Sequence, residues 1–369
     1  MSEIEARLVD LLKDLILVRS TDDNPEGLHH ALRLIRSHIE DIPGIRVENH
    51  ESNGLPSFVA LPASVARADV LLVAHTDVVE GPSEHFYPVV EEGRLYGRGA
   101  GDMKGQISIL VALMRDILTA NPDAPLGLMI TTDEESGGEN GTGYLLEEAG
   151  YRCNTAIIPD SGRLNEIVVV EKGLINGRIV SRGRSGHSSR PWNADNAVHR
   201  LMENLFNVRA HFEKLAAENH EAHWHPTLSA NILHTDNHTH NLIPDMASAT
   251  VDLRYTEHYT SQAMIDMVRG LLDADTRFEV DITAEPLHTE ADPRFLKITE
   301  EITGQPAVTK KEHGGSDGRY FTRHGIPVLM SRPEVGGLHS NREWIDIESM
   351  GTHYRILDRY LRERFGMEP

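Results

Sequence analysis

A single cysteine, Cys153, stands among the 369 residues, so no internal disulfide can form and no Cys-x-x-Cys pair exists to build a zinc finger. Just ahead of an apolar run, Cys153 reads as a packing residue rather than a nucleophile, and such sparing use of cysteine suits a reducing compartment. Basic charge is also short: 36 Lys and Arg face 57 Asp and Glu, for a net charge of −21. That balance opposes non-specific binding to nucleic acid or anionic membrane and suits a site with several ionised carboxylates around cations. No apolar run approaches the length of a membrane span. Near the start, Ile4, Leu8, Leu11, Leu12 and Leu15 recur at helical spacing. Glu3, Glu5, Arg7, Asp10, Lys13 and Asp14 break up what would be the apolar core of a signal peptide. The expectation is a cytoplasmic protein. There is no internal repeat and no low-complexity tract. No G-x-S-x-G elbow occurs, and Gly186-His187-Ser188 lacks that context. Gly97, Gly99, Gly101 and Gly105 miss the dinucleotide spacing, and Lys104 is followed by Gly105 where a phosphate loop has Ser or Thr.

What is present is an order of elements. Two helices lead into strands and helices in alternation: strand 69–75, helix 104–119, strand 126–131, helix 141–149, strand 155–159. This pattern predicts an α/β sheet covered by helices on both faces. After Lys172-Gly173 the character changes to strand 174–182, helix 193–216, strands 227–233 and 247–255, helix 261–273 and strand 277–284. This strand-helix-strand-strand-helix-strand set is that of a ferredoxin-like sandwich. Helix 293–303, strand 326–330 and helix 347–364 then resume the first pattern. The expected organisation is a discontinuous outer domain, 1–175 and 289–369, with an inserted domain at 176–288. Six histidines between 220 and 240, in HEAHWHP and HTDNHTH, read as a solvated surface of the insert rather than a second metal site.

The chemistry concentrates at strand ends. LLVAHTDVV ends in His75-Thr76-Asp77, and strand alternation points His75 and Asp77 the same way. GRGAGDMKG delivers Asp102 just ahead of a helix; LGLMITTDEESGG ends in Asp133-Glu134-Glu135; TAIIPDSG ends in Asp160. Core strands thus deliver carboxylates past their C-terminal ends, where open α/β sheets build their sites. EVGGLHSNREW adds His339 in a late loop. Two metals are expected, held by His75, Asp77, Asp102, Glu134 or Glu135, Asp160 and His339, with one carboxylate shared. His with carboxylate suits zinc, and also cobalt or manganese. Adjacent Glu134 and Glu135 diverge, so one binds metal and the other stands as general base. The natural reaction is hydrolysis of an amide.

With AHTDVV, YGRGAGDMKG, TTDEESGG, PDSG, SGHSSRPWNADNAVH, HGGSDGRYF and GLHSNREW in this order, the chain resembles the dinuclear-zinc M20 metallopeptidases over nearly its full length. Desuccinylases, deacetylases, aminoacylases and carboxypeptidases belong to that family. The resemblance implies that His75 and Asp160 bind one zinc, Glu135 and His339 the other, that Asp102 bridges, and that Glu134 is the general acid/base. Asp77 then orients His75 instead of binding metal. It implies a cis peptide at Asp102–Met103 and an insert that serves as lid and dimerisation domain of a homodimer. His187 matches a histidine that steadies the oxyanion of a neighbouring subunit's site. Asn241, Arg254 and Arg319 match substrate-contacting positions, and the two arginines suggest an acidic end on a small N-acyl amino acid or dipeptide. ADNAVH and SDGRYF lie closer to the desuccinylases, whereas SSRPW departs from their pattern. A dipeptidase, a broad aminoacylase and a non-catalytic binding homologue are the rival expectations.

Overall fold

The computed structural model describes residues 1–219, 221 and 223–368, and the chain divides into two compact units. The first comprises Met1–Val169, Thr289–Glu312 and Ser316–Pro369; the second comprises Val170–His288 and His313–Gly315.

The first unit opens with α1 (Glu3–Leu17) and α2 (Pro25–Ser37). Ser2 and Glu5 close a reciprocal cap on α1, and Asn24 caps α2 ahead of Pro25. A hairpin follows, β1 (Ile45–Ser52) and β2 (Leu55–Pro62), which the sequence-based order of elements lacks. Its two-residue turn is Asn53-Gly54, both with positive φ (50° and 79°), the dipeptide that a tight hairpin of this hand requires. Then come β3 (Val70–His75), α3 (Lys104–Ala120), β4 (Leu126–Thr131), a short α4 (Tyr144–Glu147) and β5 (Thr155–Ile157).

The expected helix at 141–149 is shorter in the structure. The Asp133 carboxylate accepts the amides of Asn140 (2.7 Å) and Gly141 (2.9 Å), and residues 139–143 form a wider π-type turn before α4 begins. These amides would have no partner within a helix starting here, so the Asp133 side chain caps the turn that leads into α4.

The second unit contains β6 (Gly173–Arg182), α5 (Ala197–Glu218), β7 (Thr227–His234), β8 (Met246–Tyr255), α6 (Ser261–Gly270) and β9 (Thr276–Ala284). Its sheet runs β7-β8-β6-β9, antiparallel throughout. That order, with helices after the first and third strands, is the ferredoxin-like sandwich expected from sequence. β8 alternates buried and half-buried residues along its length, as a strand with one face on a core must. Ile175, Ile179, Leu201, Val208, Val251, Leu253, Met264 and Phe278 make that core.

The chain re-enters the first unit through α7 (Pro293–Thr303), a short α8 (Gly318–Arg323), β10 (Val328–Leu329) and α9 (Ile347–Arg364). The main sheet has the order β1-β2-β4-β3-β5-β10. β4, β3, β5 and β10 are parallel, and the hairpin adds an antiparallel edge beside β4. Every residue of β3 and β4 is buried, so the middle of the sheet is covered on both faces. A second small sheet joins Val335–Gly336, Trp344–Asp346, Arg94–Tyr96 and Val89–Glu91 in that order. It brings the segment after Tyr96 beside the hairpin that carries residues 337–343.

Candidate metal centre

The sheet order explains how distant acids meet. β3 lies between β4 and β5, and His75 is level with Thr131 on β4. Just past β4, residues 134–136 make one turn of 3-10 helix, closed by Gly137 and Gly138 with φ of 115° and 68°. Past β5 comes Asp160. Three adjacent parallel strands therefore open their C-terminal ends onto one place. Asp102 arrives from the small sheet, at the end of the loop that begins with Gly97, and the Asp102–Met103 peptide is cis. His339 sits at the tip of the 335–346 hairpin with φ of 58°.

The side chains converge closely. Nε2 of His75 lies 3.2 Å from Asp102 Oδ1, 3.9 Å from Glu134 Oε2 and 4.0 Å from Asp160 Oδ1. Nε2 of His339 lies 3.3 Å from Asp102 Oδ2 and 3.2 Å from Glu135 Oε1. Two groups result, His75–Glu134–Asp160 and Asp102–Glu135–His339, with the ligand atoms of each within 4.8 Å of one another. Among the described residues no other cluster has this character. The insert's described histidines, His223, His225, His234, His238 and His240, form none, and His220 lies outside the described residues.

Asp77 lies beyond the end of β3, so the strand pleat does not set its direction. Nδ1 of His75 donates to the Asp77 main-chain carbonyl at 3.0 Å, and the Asp77 carboxylate oxygen Oδ1 is 3.5 Å away. With a proton fixed on Nδ1, Nε2 donates to Asp102 when the ring is charged and is the nitrogen left to hold a cation when the ring is neutral. The other Asp77 oxygen accepts the Glu135 amide at 2.9 Å.

Burial and charge crowding shift several groups here. Burial opposes the charged forms of His75 and Asp102. Their mutual hydrogen bond, with His339 and Asp77 nearby, overrides it, raising His75 well above and holding Asp102 well below their ordinary values. Hydrogen bonds to Asp102 and Glu135 raise His339 to about 10. Burial, then the nearby Asp102, pushes Asp160 up to about 7, and burial likewise drives Glu134 well above the usual carboxylate range. Buried Glu135 Oε1 has Nε2 of His339 beside it at 3.2 Å, and buried Asp77 Oδ1 has only Nδ1 of His75, at 3.5 Å. Imidazole and carboxylate donors so placed match a divalent cation of the zinc, cobalt or manganese type.

The other residues singled out from sequence divide between the units. In the first, Arg319 donates to the carbonyls of Ser316 (3.0 Å) and Gly137 (2.6 Å), so its guanidinium braces the turn that carries Glu134 and Glu135. In the second, Arg254 is held in a two-point ion pair by Asp252 on its own strand, at 2.9 and 3.2 Å. His187 and Asn241 are brought together: Gly186–His187 pairs with Leu242–Ile243, and the Ser188 amide donates to the Asn241 carbonyl at 2.9 Å. Nδ1 of His187 accepts the Ser189 amide at 3.1 Å, which leaves the proton of the neutral ring on exposed Nε2.

Sequence reasoning missed the supports. Arg332 donates to the Asp160 carbonyl at 2.6 Å. Asp317, buried, pairs with Thr142 at 2.6 Å and helps burial push Asp133 up to about 7. Glu343 is buried against Arg98 at 2.8 Å. The signal for Glu343 lay inside GLHSNREW, four residues past His339, but sequence alone gives it no role.

Residues 71–363 match peptidase family M20/M25/M40. The chain belongs to that family. Among relatives of M20/M25/M40 type, it is 31% identical over 317 residues to a succinyl-diaminopimelate desuccinylase of Alkalilimnicola ehrlichii, covering 79% of this chain and 83% of that one. Against a succinyl-diaminopimelate desuccinylase of Acidiphilium cryptum it is 28% identical, covering 97% of this chain and all 100% of the relative. In fold it resembles the M20 family metallo-carboxypeptidase Sso-CP2 from Sulfolobus solfataricus, with a TM-score of 0.76, 16% identity and coverage of 98% and 99% of the two chains. M20 membership makes the protein a metal-dependent amide hydrolase. Among the described residues no helix is long and apolar enough to cross a membrane.

Proposed function

We propose that the protein hydrolyses the amide bond of an N-acyl amino acid, in the manner of the desuccinylases it is similar to, with two zinc ions bound side by side. One observation carries the reading: the two oxygens of Asp102 face two different histidines, Oδ1 toward His75 and Oδ2 toward His339. A carboxylate so placed would serve both groups at once, which supports the bridging role. On this reading His75 and Asp160 hold one ion, Glu135 and His339 the other, and Asp102 both. Bound there, such a pair polarises a carbonyl and lowers the pKa of water toward neutrality.

The remaining steps belong to the chain's own groups. Glu134, not needed as a ligand, takes the proton of the attacking water and returns it to the leaving amine. Asp77 fixes the His75 tautomer through its main-chain carbonyl and the turn of Glu135 through its carboxylate. His187 is assigned from the family pattern to offer its Nε2 N–H to the oxyanion of a neighbouring subunit's site, in keeping with the tautomer its Ser189 partner enforces. Asn241, Arg254 and Arg319 are assigned to substrate recognition from the family pattern, and the second unit, boundaries 176–288, to lid and dimer formation.

The homodimer has its own support. β7 is an edge strand with Ile232 and Leu233 exposed, and α5 exposes Met202 and Phe206. A cytoplasmic location accords with one buried thiol and no disulfide.

The test is amine release by zinc-loaded protein from N-succinyl-diaminopimelate, N-acetylornithine, N-acetylcitrulline, other N-acetyl amino acids and dipeptides, with Glu134→Ala as blank. Preference for an N-acyl amino acid by at least tenfold supports the reading. Preference for dipeptides transfers it to the peptidases of the family, and silence across the panel with zinc bound sinks it.

A further inference from the structure

We infer that Glu343 is the positioning residue for Asp102, and that it acts by accepting two backbone amides. The inference rests on the bridging role assigned to Asp102 above.

Glu343 lies at the base of the hairpin that carries His339, and its side chain is only 2% exposed. Oε1 accepts the amides of Gly101 (2.9 Å) and Asp102 (3.0 Å). Oε2 accepts Nη1 of Arg98 at 2.8 Å, and the main-chain carbonyl of Glu343 accepts the Gly97 amide at 3.1 Å. One residue thus fastens the segment 97–102 at four points, and the same residue belongs to the His339 hairpin. The seat is close-fitting: a Cβ on Gly101 would come within 2.8 Å of the Leu338 side chain, and one on Gly81 within 3.3 Å of the Arg98 guanidinium.

The consequence falls on Asp102. Among the described residues its carboxylate meets the two imidazoles and no other side-chain donor. Its orientation is therefore set from the main chain, whose amide Glu343 holds. A carboxylate that must address two ions needs its direction fixed to about half an ångström. Glu343 supplies this by tying both halves of the second group, Asp102 and His339, to one rigid piece. Arg98 then serves to neutralise Glu343, since a lone buried carboxylate is costly.

The two functions of Glu343, amide acceptor and partner of Arg98, separate in paired variants. Arg98→Gln/Glu343→Gln abolishes the charges and keeps the acceptor. Arg98→Gln/Glu343→Met abolishes both. The readout is the zinc affinity of the full-length chain by competition with a chromophoric chelator, together with kcat and KM on the best substrate. The Gln/Gln protein is expected to hold zinc within about threefold of the parent. The Gln/Met protein is expected to bind one equivalent on the order of 10- to 100-fold more weakly, with kcat reduced and KM little changed. If Gln/Met does not fold, Glu343→Asp, which keeps the charge but withdraws the acceptor by one methylene, carries the same expectation. Equal zinc affinity for acceptor-bearing and acceptor-lacking proteins overturns the inference and leaves the proposed function standing. A parent chain that takes up no zinc sinks both.

Discussion

Nε2 of His339 stands 3.3 Å from Oδ2 of Asp102 although 237 positions separate them in the chain. The link is the small sheet that sets the 335–346 hairpin beside Arg94–Tyr96. His339 is half exposed, unlike fully buried His75, and its removal leaves no void in the core. His339→Ala is expected to fold, to lose about one metal equivalent, and to lose most activity; elemental analysis of dialysed protein checks this. Two retained equivalents would remove His339 from the ligand set.

Glu134→Ala should behave in the opposite way. Metal content stays near that of the parent, while kcat falls on the order of 10²- to 10⁴-fold, the usual worth of a general acid/base. Steady-state kinetics beside metal analysis separates the two cases. An unchanged kcat would mean that the proton passes elsewhere.

Metal removal should also reach stability. Without cations, burial and then the neighbouring acids disfavour the ionised forms of Glu134 and Asp160. A ligand bound only by the folded state adds about 2.7 kcal/mol at a concentration 100 times its Kd. Chelation is therefore expected to lower the melting temperature by several degrees, and added zinc to restore it. Identical melting curves would show that no tightly bound ion stabilises the fold.

His353 makes a pH prediction. It is fully buried on α9 beside Ser331, at 3.2 Å, and burial depresses its pKa from 6.5 to about 3. Above pH 6.5 the ring is neutral in both states and contributes nothing to pH dependence. As pH falls below 6.5 the unfolded chain takes up a proton that the folded one refuses. Stability is then lost at about 1.4 kcal/mol per pH unit until about pH 3. Urea unfolding of the parent and of His353→Gln between pH 7 and 4 should differ in slope by one proton. Parallel pH curves would show that His353 is hydrated or charged in the fold.

Cys153 is 1% exposed, and burial pushes its thiol up to about 12. A thiol reagent at pH 8 should find no reactive group in the native protein and one per chain in denaturant. Fast native labelling would mean that the segment ahead of β5 opens readily.

Much of the site was legible because strand ends are local. An apolar run followed by His75, by Asp133-Glu134-Glu135 or by Asp160 announces both its strand and its acids. The Asn53-Gly54 turn shows the limit of that reading: the dipeptide signals a hairpin, but IRVENHES carries so little apolar pattern that the strand beside it escapes notice. Arg254 and Arg319 illustrate a different limit. Residue type says that an arginine can grip a carboxylate, whereas the structure shows one engaged by Asp252 and the other by the carbonyls of Ser316 and Gly137.

The sequence by itself determined the class of chemistry, through the supply of His and carboxylate at strand ends, and the kind of elements, through periodicity and turn residues. Tertiary structure alone decided the partners. The order β4-β3-β5 sets which acids face His75, and the small sheet sets Asp102 against His339. Glu343 gains its place only there, because its partners at Arg98, Gly101 and Asp102 lie more than 240 positions away. Local spacing cannot encode such contacts. They exist because burying the apolar faces of the sheets admits one arrangement of the strands, and the polar groups carried on their ends must then find one another.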